Sequence, residues 1–342
     1  MTARRIKPGY LLPSAAFTLK RRQIVAHEPN AEPFRVGDAL YVEVERLGHH
    51  GEVINKHGRL HRLVRGSRLI GVAGNRYAPD EFEVIIPGEA GVALDLASRG
   101  GVLGSLTTRN SSVPAPTRVR VLGRVVDGQG TRLNTLDYPL ITEPPRRSGA
   151  GAKLVLVCGT AMNAGKTTVA ASCCWALSTM GHEVRAAKLT GTANVNDILK
   201  MNDAGASTYC DFTYLGYPST YLLEKEDLAR IFQAIDAKHA SNPRAFWVVE
   251  LADGVLQRET AMMLANRTVR DRIHRLVFAA RDTFGALGGI EVLSREFGLT
   301  PDAISGIVAS SPLLVREFQE HSAIPIINSV DIDLDEFCRV LI

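Results

Sequence analysis

Gly159-Thr160-Ala161-Met162-Asn163-Ala164-Gly165-Lys166-Thr167-Thr168 is the stretch that decides the fold. It follows the apolar run Leu154-Val155-Leu156-Val157 and leads into Thr167-Thr168-Val169-Ala170-Ala171, which reads as the start of a helix. A buried strand, a turn of small residues and a helix, in that order, are the context of a phosphate loop. The usual pattern puts about four residues between the first Gly and Gly-Lys; this chain has five. The physics survives the extra residue. Small side chains let backbone N–H groups wrap phosphate oxygens, and the helix N-terminus adds its positive dipole end. Gly159, Thr160, Asn163, Ala164, Gly165, Lys166, Thr167 and Thr168 are therefore the expected nucleotide cradle. In it Lys166 reaches the β- and γ-phosphates of ATP, and the Thr167 hydroxyl ligates Mg²⁺. The plain alternative is a strand-to-helix turn with an exposed lysine.

Downstream, apolar strands (153–158, 183–189, 245–251, 275–280, 304–309, 325–328) alternate with helical stretches near 167–180, 227–239, 259–265, 286–297 and 313–321. Such alternation predicts a parallel sheet covered on both faces, a doubly wound α/β domain over 152–342. Upstream the rhythm differs. From about Arg22 to Leu140 short β-branched runs are broken by glycine, as in Ala39–Val44, Phe82–Ile86 and Thr117–Val126. That pattern predicts a small all-β, barrel-like domain over 21–141. Residues 91–98 are the one stretch there with a helical look. Residues 1–20 read as a tail or an extra strand, and 142–151, rich in Pro, Gly and charge, as a linker.

The net charge of +4 hides a split. Residues 1–150 hold 22 Lys/Arg against 14 Asp/Glu, and the remainder 18 against 22. Arg59, Arg62, Arg65 and Arg68 recur every three residues, with His57 and His61 among them. A single-strand nucleic-acid binder would interleave stacking aromatics with such basics. Here aromatics are sparse, so a solvated or internally paired face is the favoured reading and nucleic acid the disfavoured partner. His49-His50 and His57/His61 lack a cysteine partner or ordered spacing to a carboxylate, which argues against a metal site. The five cysteines form no CxxC and sit among apolar residues, as buried thiols of a reducing compartment do. No apolar run is long enough to span a bilayer, and no secretory signal is evident, so the expectation is a cytoplasmic protein with no membrane partner.

Carboxylates beside the loop complete the chemistry. Glu250 and Asp253 end the apolar strand Phe246-Trp247-Val248-Val249, on the side where doubly wound sheets bind ligands. A strand-end carboxylate is the usual Mg²⁺ partner. Lys188 ends a neighbouring strand, where it would neutralise charge on a transferring phosphoryl group or hold a substrate carboxylate. Asp197 reads as a metal ligand on a polar loop, or as a helix N-cap. The aromatic stretch 211–221 could grip a substrate or simply pack. Arg258 could meet an anion or pair with Glu259. The loop 74–80 is the best functional candidate of the β half, or a structural turn.

The loop spacing resembles that of dethiobiotin synthetase and, more broadly, the P-loop group with cobyrinate amidases and MinD-like ATPases. Lys188-Leu189-Thr190-Gly191 is similar to that group's Lys-Pro-x-x-(Ser/Thr)-Gly segment. Asn196-Asp197 stands where the group has a metal-touching Ser-Asp, and Val249-Glu250-Leu251-Ala252-Asp253-Gly254 where it has Val-Glu-Gly-Ala-Gly-Gly with a metal-ligating Glu. The resemblance implies Thr167, Asp197 and Glu250 as metal ligands and a homodimer. Ser310-Ser311 replaces a base-recognising Asn, and Leu251 and Asp253 replace pocket glycines. The β half has no counterpart in that enzyme, which argues against biotin synthesis itself. The chain also resembles an uncharacterised P-loop family, some of whose members are implicated in N-acetylating D-amino acids.

Three functions follow as expectations. The first is an ATP- and Mg²⁺-dependent ligase or kinase that activates a small-molecule carboxylate or similar acceptor, with Lys166 and Lys188 catalytic. The second is an acyltransferase whose loop holds the phosphates of acyl-CoA. The third is a nucleotide-controlled switch whose basic β domain binds nucleic acid or a protein.

Overall fold

The computed structural model describes residues 3–89, 91, 93–142 and 151–342. Most of the expected linker, 143–150, lies outside the described residues. The chain forms two compact units. One contains the chain up to Thr142 together with Gly191–Asn196 and Phe212–Leu222; the other contains the remaining described residues.

The first unit is built from β1 (Arg4–Arg5), β2 (Ala26–Glu28), β3 (Ala39–Arg46), β4 (Glu52–Ile54), β5 (Leu60–Arg62), β6 (Arg68–Ala73), β7 (Phe82–Ile85), β8 (Ala93–Leu96), β9 (Val102–Arg109) and β10 (Thr117–Val126). Strands β10, β3, β6, β9 and β8 pair in that order, and β8 returns to β10, which closes a ring. Closure leaves no unpaired edge within the ring itself, while β2 with β1 extends the sheet from β10 and β7 extends it from β9. Alternation along the strands serves two cores. Leu40, Val42 and Val44 pack with Leu69, Leu94, Leu96, Leu103 and Val119, while Ala39 and Tyr41 pack with Ile70, Val72 and Val102. The second cluster is covered by Ala15, Ala16 and Leu19 from the N-terminal segment. Of the 91–98 stretch, the described residues 93–96 form a strand, not a helix. Leu94 and Leu96 alternate with period two and belong to β8, which pairs with β9 on one side and β10 on the other.

The second unit contains a parallel sheet of β11 (Lys153–Gly159), β12 (Val184–Lys188), β13 (Thr208–Asp211), β14 (Phe246–Glu250), β15 (Ile273–Ala279) and β16 (Ala303–Ser305), ordered β13-β12-β14-β11-β15-β16. Leu154 through Cys158 and Phe246 through Val249 are fully buried, as continuous apolar runs in a two-faced sheet must be. The connecting helices are α1 (Lys166–Thr179), α2 (Val195–Asp203), α3 (Lys225–His239), α4 (Arg258–Ala265), α5 (Arg267–Arg270), α6 (Thr283–Phe297), α7 (Pro312–Gln319) and α8 (Leu334–Leu341). From β11 the chain steps toward β12, and from β14 toward β15, so right-handed crossovers put the intervening helices on opposite faces. Helix α1 accordingly packs with α8, and α3 with α4. The fold is thus mixed α/β with a separate, mainly antiparallel β region.

Two expected strands are shorter than the sequence suggests. Beyond Ser305, Gly306 takes a φ of +90° and turns the chain into a 3₁₀ turn, Ile307–Ser310, instead of extending the strand to 309. Residues 325–328 contribute a single parallel bridge, Ile326 to Ile304. Helices α2, α5 and α8 lie outside the helical stretches expected from the sequence; Asp333 caps α8 by accepting from Asp335 N at 2.8 Å. Among the described residues no helix is long and apolar enough to cross a membrane.

Candidate functional site

Strand β11 lies between β14 and β15 at the point where the winding reverses, the place where open parallel sheets form a ligand crevice. The loop after it, 160–165, enters α1, whose N-cap Gly165 offers no side-chain acceptor. The first-turn amides of a helix have no intrahelical acceptor, and among the described residues no N-cap side chain accepts from them here. The Lys166 side chain folds back across the loop and donates from Nζ to Ala161 O at 2.6 Å. It is 6% exposed. Burial holds its pKa below the ordinary lysine value, against the pull of Glu250 and Asp253.

Glycines let neighbouring strand ends close on this loop. A Cβ on Gly254, past β14, would lie 2.2 Å from Thr160 O, and one on Gly306, past β16, 2.4 Å from Ala164 O. Ile307 N then donates to Ala164 O at 3.3 Å. Any side chain at either position would push the loop out of shape. Asn163 supplies a further positive φ, +59°, within the turn.

Glu250 ends β14 with 1% exposure. Thr167 Oγ1 donates to its Oε1 at 3.0 Å, and Lys188 Nζ stands 3.7 Å from the same oxygen. Its other oxygen, Oε2, is buried and, among the described residues, has no hydrogen-bond partner. Burial raises the Glu250 pKa, and Lys188 draws it back. Lys188 is hydrogen-bonded to Asp197. Burial works against the Lys188 charge, but Asp197 and Glu250 outweigh it and hold its pKa above the ordinary value. Asp197 lies in the first turn of α2 rather than on a loop or at the N-cap. The structure therefore brings Thr167, Lys188, Asp197 and Glu250 into one cluster beside the 160–165 loop. Its oxygens are hard donors of the kind Mg²⁺ takes, and the buried, unpartnered Glu250 Oε2 fits such an ion. Thr160 Oγ1, in the loop itself, is likewise buried with no hydrogen-bond partner among the described residues.

Sequence reasoning missed Thr190. Its hydroxyl donates to Ala252 O and accepts from Ala252 N at 2.8 Å, while Thr260 Oγ1 also donates to Ala252 O at 2.7 Å. These bonds fix the chain that leaves Glu250. The signal was present in Lys188-Leu189-Thr190-Gly191, but the pairing is 62 residues away in sequence.

The other candidates make contacts within their own units. Arg258 pairs with Glu259 at 2.7 Å and donates to Leu223 O at 2.9 Å. In the 211–221 stretch Phe212, Leu215 and Tyr217 are buried, Tyr214 meets Phe17 edge-on at 5.0 Å, and Tyr221 donates to Glu83 at 2.5 Å. Arg76 of the 74–80 loop is buried and donates to Glu81 at 2.5 Å. Glu81 also stands 3.3 Å from His50 and 3.6 Å from His49, a grouping invisible in sequence. Burial opposes the Glu81 charge, but His50 and Arg76 hold its carboxyl far below the usual range. Arg76 Nη1 lies 2.5 Å from Glu81 Oε2 and 3.4 Å from His50 Nε2. Arg59, Arg62 and Arg65 are exposed, and Arg68 pairs at 2.9 Å with Glu43 of its own unit. Four cysteines are buried and Cys338 half-buried; burial pushes the Cys158 and Cys173 thiols up to about 12.

No family model matches the chain, and no curated protein does. A signal recognition particle receptor FtsY from Elizabethkingia anophelis aligns at 14% identity and a TM-score of 0.35, over 58% of this chain and 65% of that one. The same receptor in complex with GDP aligns at 14% and 0.39, over 59% and 69%. A DUF1611 family protein from Anabaena variabilis aligns at 13% and 0.38, over 58% and 63%. The chain thus spans less than two thirds of the first of these receptor structures and of the DUF1611 protein.

Proposed function

We propose that this chain is an ATP- and Mg²⁺-dependent enzyme that activates a small-molecule carboxylate by phosphoryl transfer. The observation that carries the reading is Glu250: a buried carboxylate with one oxygen on Thr167 and the other unpartnered, beside a loop built for phosphate. Loop amides and Lys166 would hold the phosphates. Thr167, Glu250 and Asp197 would hold Mg²⁺, which when bound offsets charge on the β- and γ-phosphates. The acceptor carboxylate oxygen forms a bond to the γ-phosphorus while the bond to the β–γ bridging oxygen breaks, giving an acyl phosphate and ADP. Lys188 would neutralise the transferring charge once Asp197 and Glu250 turn toward the metal.

A thermal-shift panel of ATP, GTP and acetyl-CoA, with and without Mg²⁺, tests this on the wild type and Lys166→Ala. ATP with Mg²⁺ at 100 times its dissociation constant should add about 2.7 kcal/mol of stability, lost in the variant. A shift with acetyl-CoA that ignores Mg²⁺ would replace this reading with acyl transfer. Equal shifts in wild type and variant would remove the phosphate-loop assignment.

A further inference from the structure

The outer face of the β unit carries a ladder of ion pairs with one member left over. Arg68 and Arg120 share Glu43 at 2.9 and 2.7 Å, Arg120 also reaches Glu45 at 3.7 Å, and Arg118 pairs with Asp95 at 2.9 Å. Arg46 is exposed and, among the described residues, has no acidic partner. Its position is set by a bulge. Val119 faces Val44, but Arg118 faces Arg46, so Glu45 is the extra residue in β3. Bulges re-aim side chains in this way, and here the result places two arginines opposite each other across β3 and β10. Like charges directly opposite are destabilising unless something of opposite sign lies between them.

A cavity of about 410 Å³ opens at this point, lined by Arg46, Arg118, Asp95, Ser105, Leu106 and Pro116 among others. That volume is within the range of about 300–1,000 Å³ usual for small-ligand pockets. Asp95 offsets one of the two arginine charges, which leaves an excess positive charge, and it also fixes Arg118. It is 5% exposed, and its Oδ2 accepts from both Arg118 Nη1 at 2.9 Å and Leu106 N at 3.0 Å. One Arg118 nitrogen is thereby tied down, and the guanidinium keeps other donors in its planar fork. Leu106 and Pro116 supply apolar wall, and Ser105 a hydroxyl.

We propose that this cavity binds a small oxyanion, carboxylate or phosphate, carried on an apolar stem. Arg46 and Arg118 grip the anion, Asp95 positions Arg118, and Leu106 and Pro116 contact the stem. The site belongs to the β unit alone and does not rest on the nucleotide reading.

Calorimetric titration of the full chain with benzoate, phenyl phosphate and benzyl alcohol, at constant ionic strength, tests it. Benzoate or phenyl phosphate should bind saturably and benzyl alcohol should not; the tighter of the two anions names the ligand class. Arg46→Gln should weaken that binding at least tenfold and Arg46→Lys by less, because a lysine keeps the charge and loses the fork. Arg46 is exposed and, among the described residues, has no acidic partner; Arg46→Gln relieves the like-charge opposition to Arg118 and Arg46→Lys keeps it, so neither variant should lower the melting temperature. Lys166→Ala should leave the titration unaltered. The proposal is overturned if neither anion saturates, if benzyl alcohol binds as well, or if Arg46→Gln leaves the curve unchanged. Loss of binding in Lys166→Ala instead would move the anion to the phosphate loop and likewise overturn it.

Discussion

Lys188 Nζ stands 3.7 Å from Glu250 Oε1 and is hydrogen-bonded to Asp197. The ammonium group of one strand end thus sits between the two carboxylates best placed to hold a divalent cation. It compensates charges that burial would otherwise make costly.

Removing that ammonium should be felt in stability. Lys188→Met leaves Glu250 buried without its cation, and breaking a buried pair from one side costs about 3–5 kcal/mol. Urea unfolding should show this loss in EDTA and a smaller one in MgCl₂, because Mg²⁺ can take the vacated place. An equal loss in both buffers would mean that the cluster does not bind the ion.

Glu250→Gln separates phosphate binding from metal dependence. The loop amides and Lys166 are untouched, so the thermal shift with ATP in EDTA should match that of wild type. The further increment on adding Mg²⁺ should disappear. If it persists at full size, Glu250 is not a ligand.

The close approach at Gly306 predicts a steric effect. Its φ is +90°, and a Cβ would lie 2.4 Å from Ala164 O. Gly306→Ala should therefore destabilise by about 1–3 kcal/mol and weaken nucleotide binding, since the backbone that must shift belongs to the phosphate loop. Gly128→Ala, where a Cβ meets nothing within 4 Å, is the control and should do neither.

His239 gives a pH signature. Burial, with help from Lys238 and Arg185, lowers its pKa to about 4. The unfolded chain then binds a proton that the folded chain refuses. Its contribution to stability is fully present above the unfolded pKa of about 6.5, falls as pH drops toward 4, and changes no further below that. The loss across this window is on the order of 3 kcal/mol. Comparing unfolding free energies at pH 7 and pH 4.5 for wild type and His239→Gln isolates it; equal pH dependence in both would refute the assignment.

Much of this was legible in the sequence for a physical reason. A strand buried on both faces must be continuously apolar, and a phosphate-binding turn must be small and followed by a helix. Leu154–Thr168 satisfies both conditions locally, so the α/β class and the strand, turn and helix of this segment could be read from the sequence. The same locality misled at residues 91–98, where Leu94 and Leu96 are strand positions because of partners in β9 and β10. Tertiary structure alone decided what depends on residues distant along the chain. The bulge at Glu45 that brings Arg46 opposite Arg118, the return of β8 to β10, and the packing of Gly191–Asn196 and Phe212–Leu222 with the β unit are of this kind. So is the cluster of Thr167, Lys188, Asp197 and Glu250. Residue type suggested each member, but only the sheet order, with β14 between β12 and β11, places Glu250 next to both the lysine and the loop. Burial and charge pairing are properties of that arrangement, and they determine which carboxylate oxygen is left unpartnered.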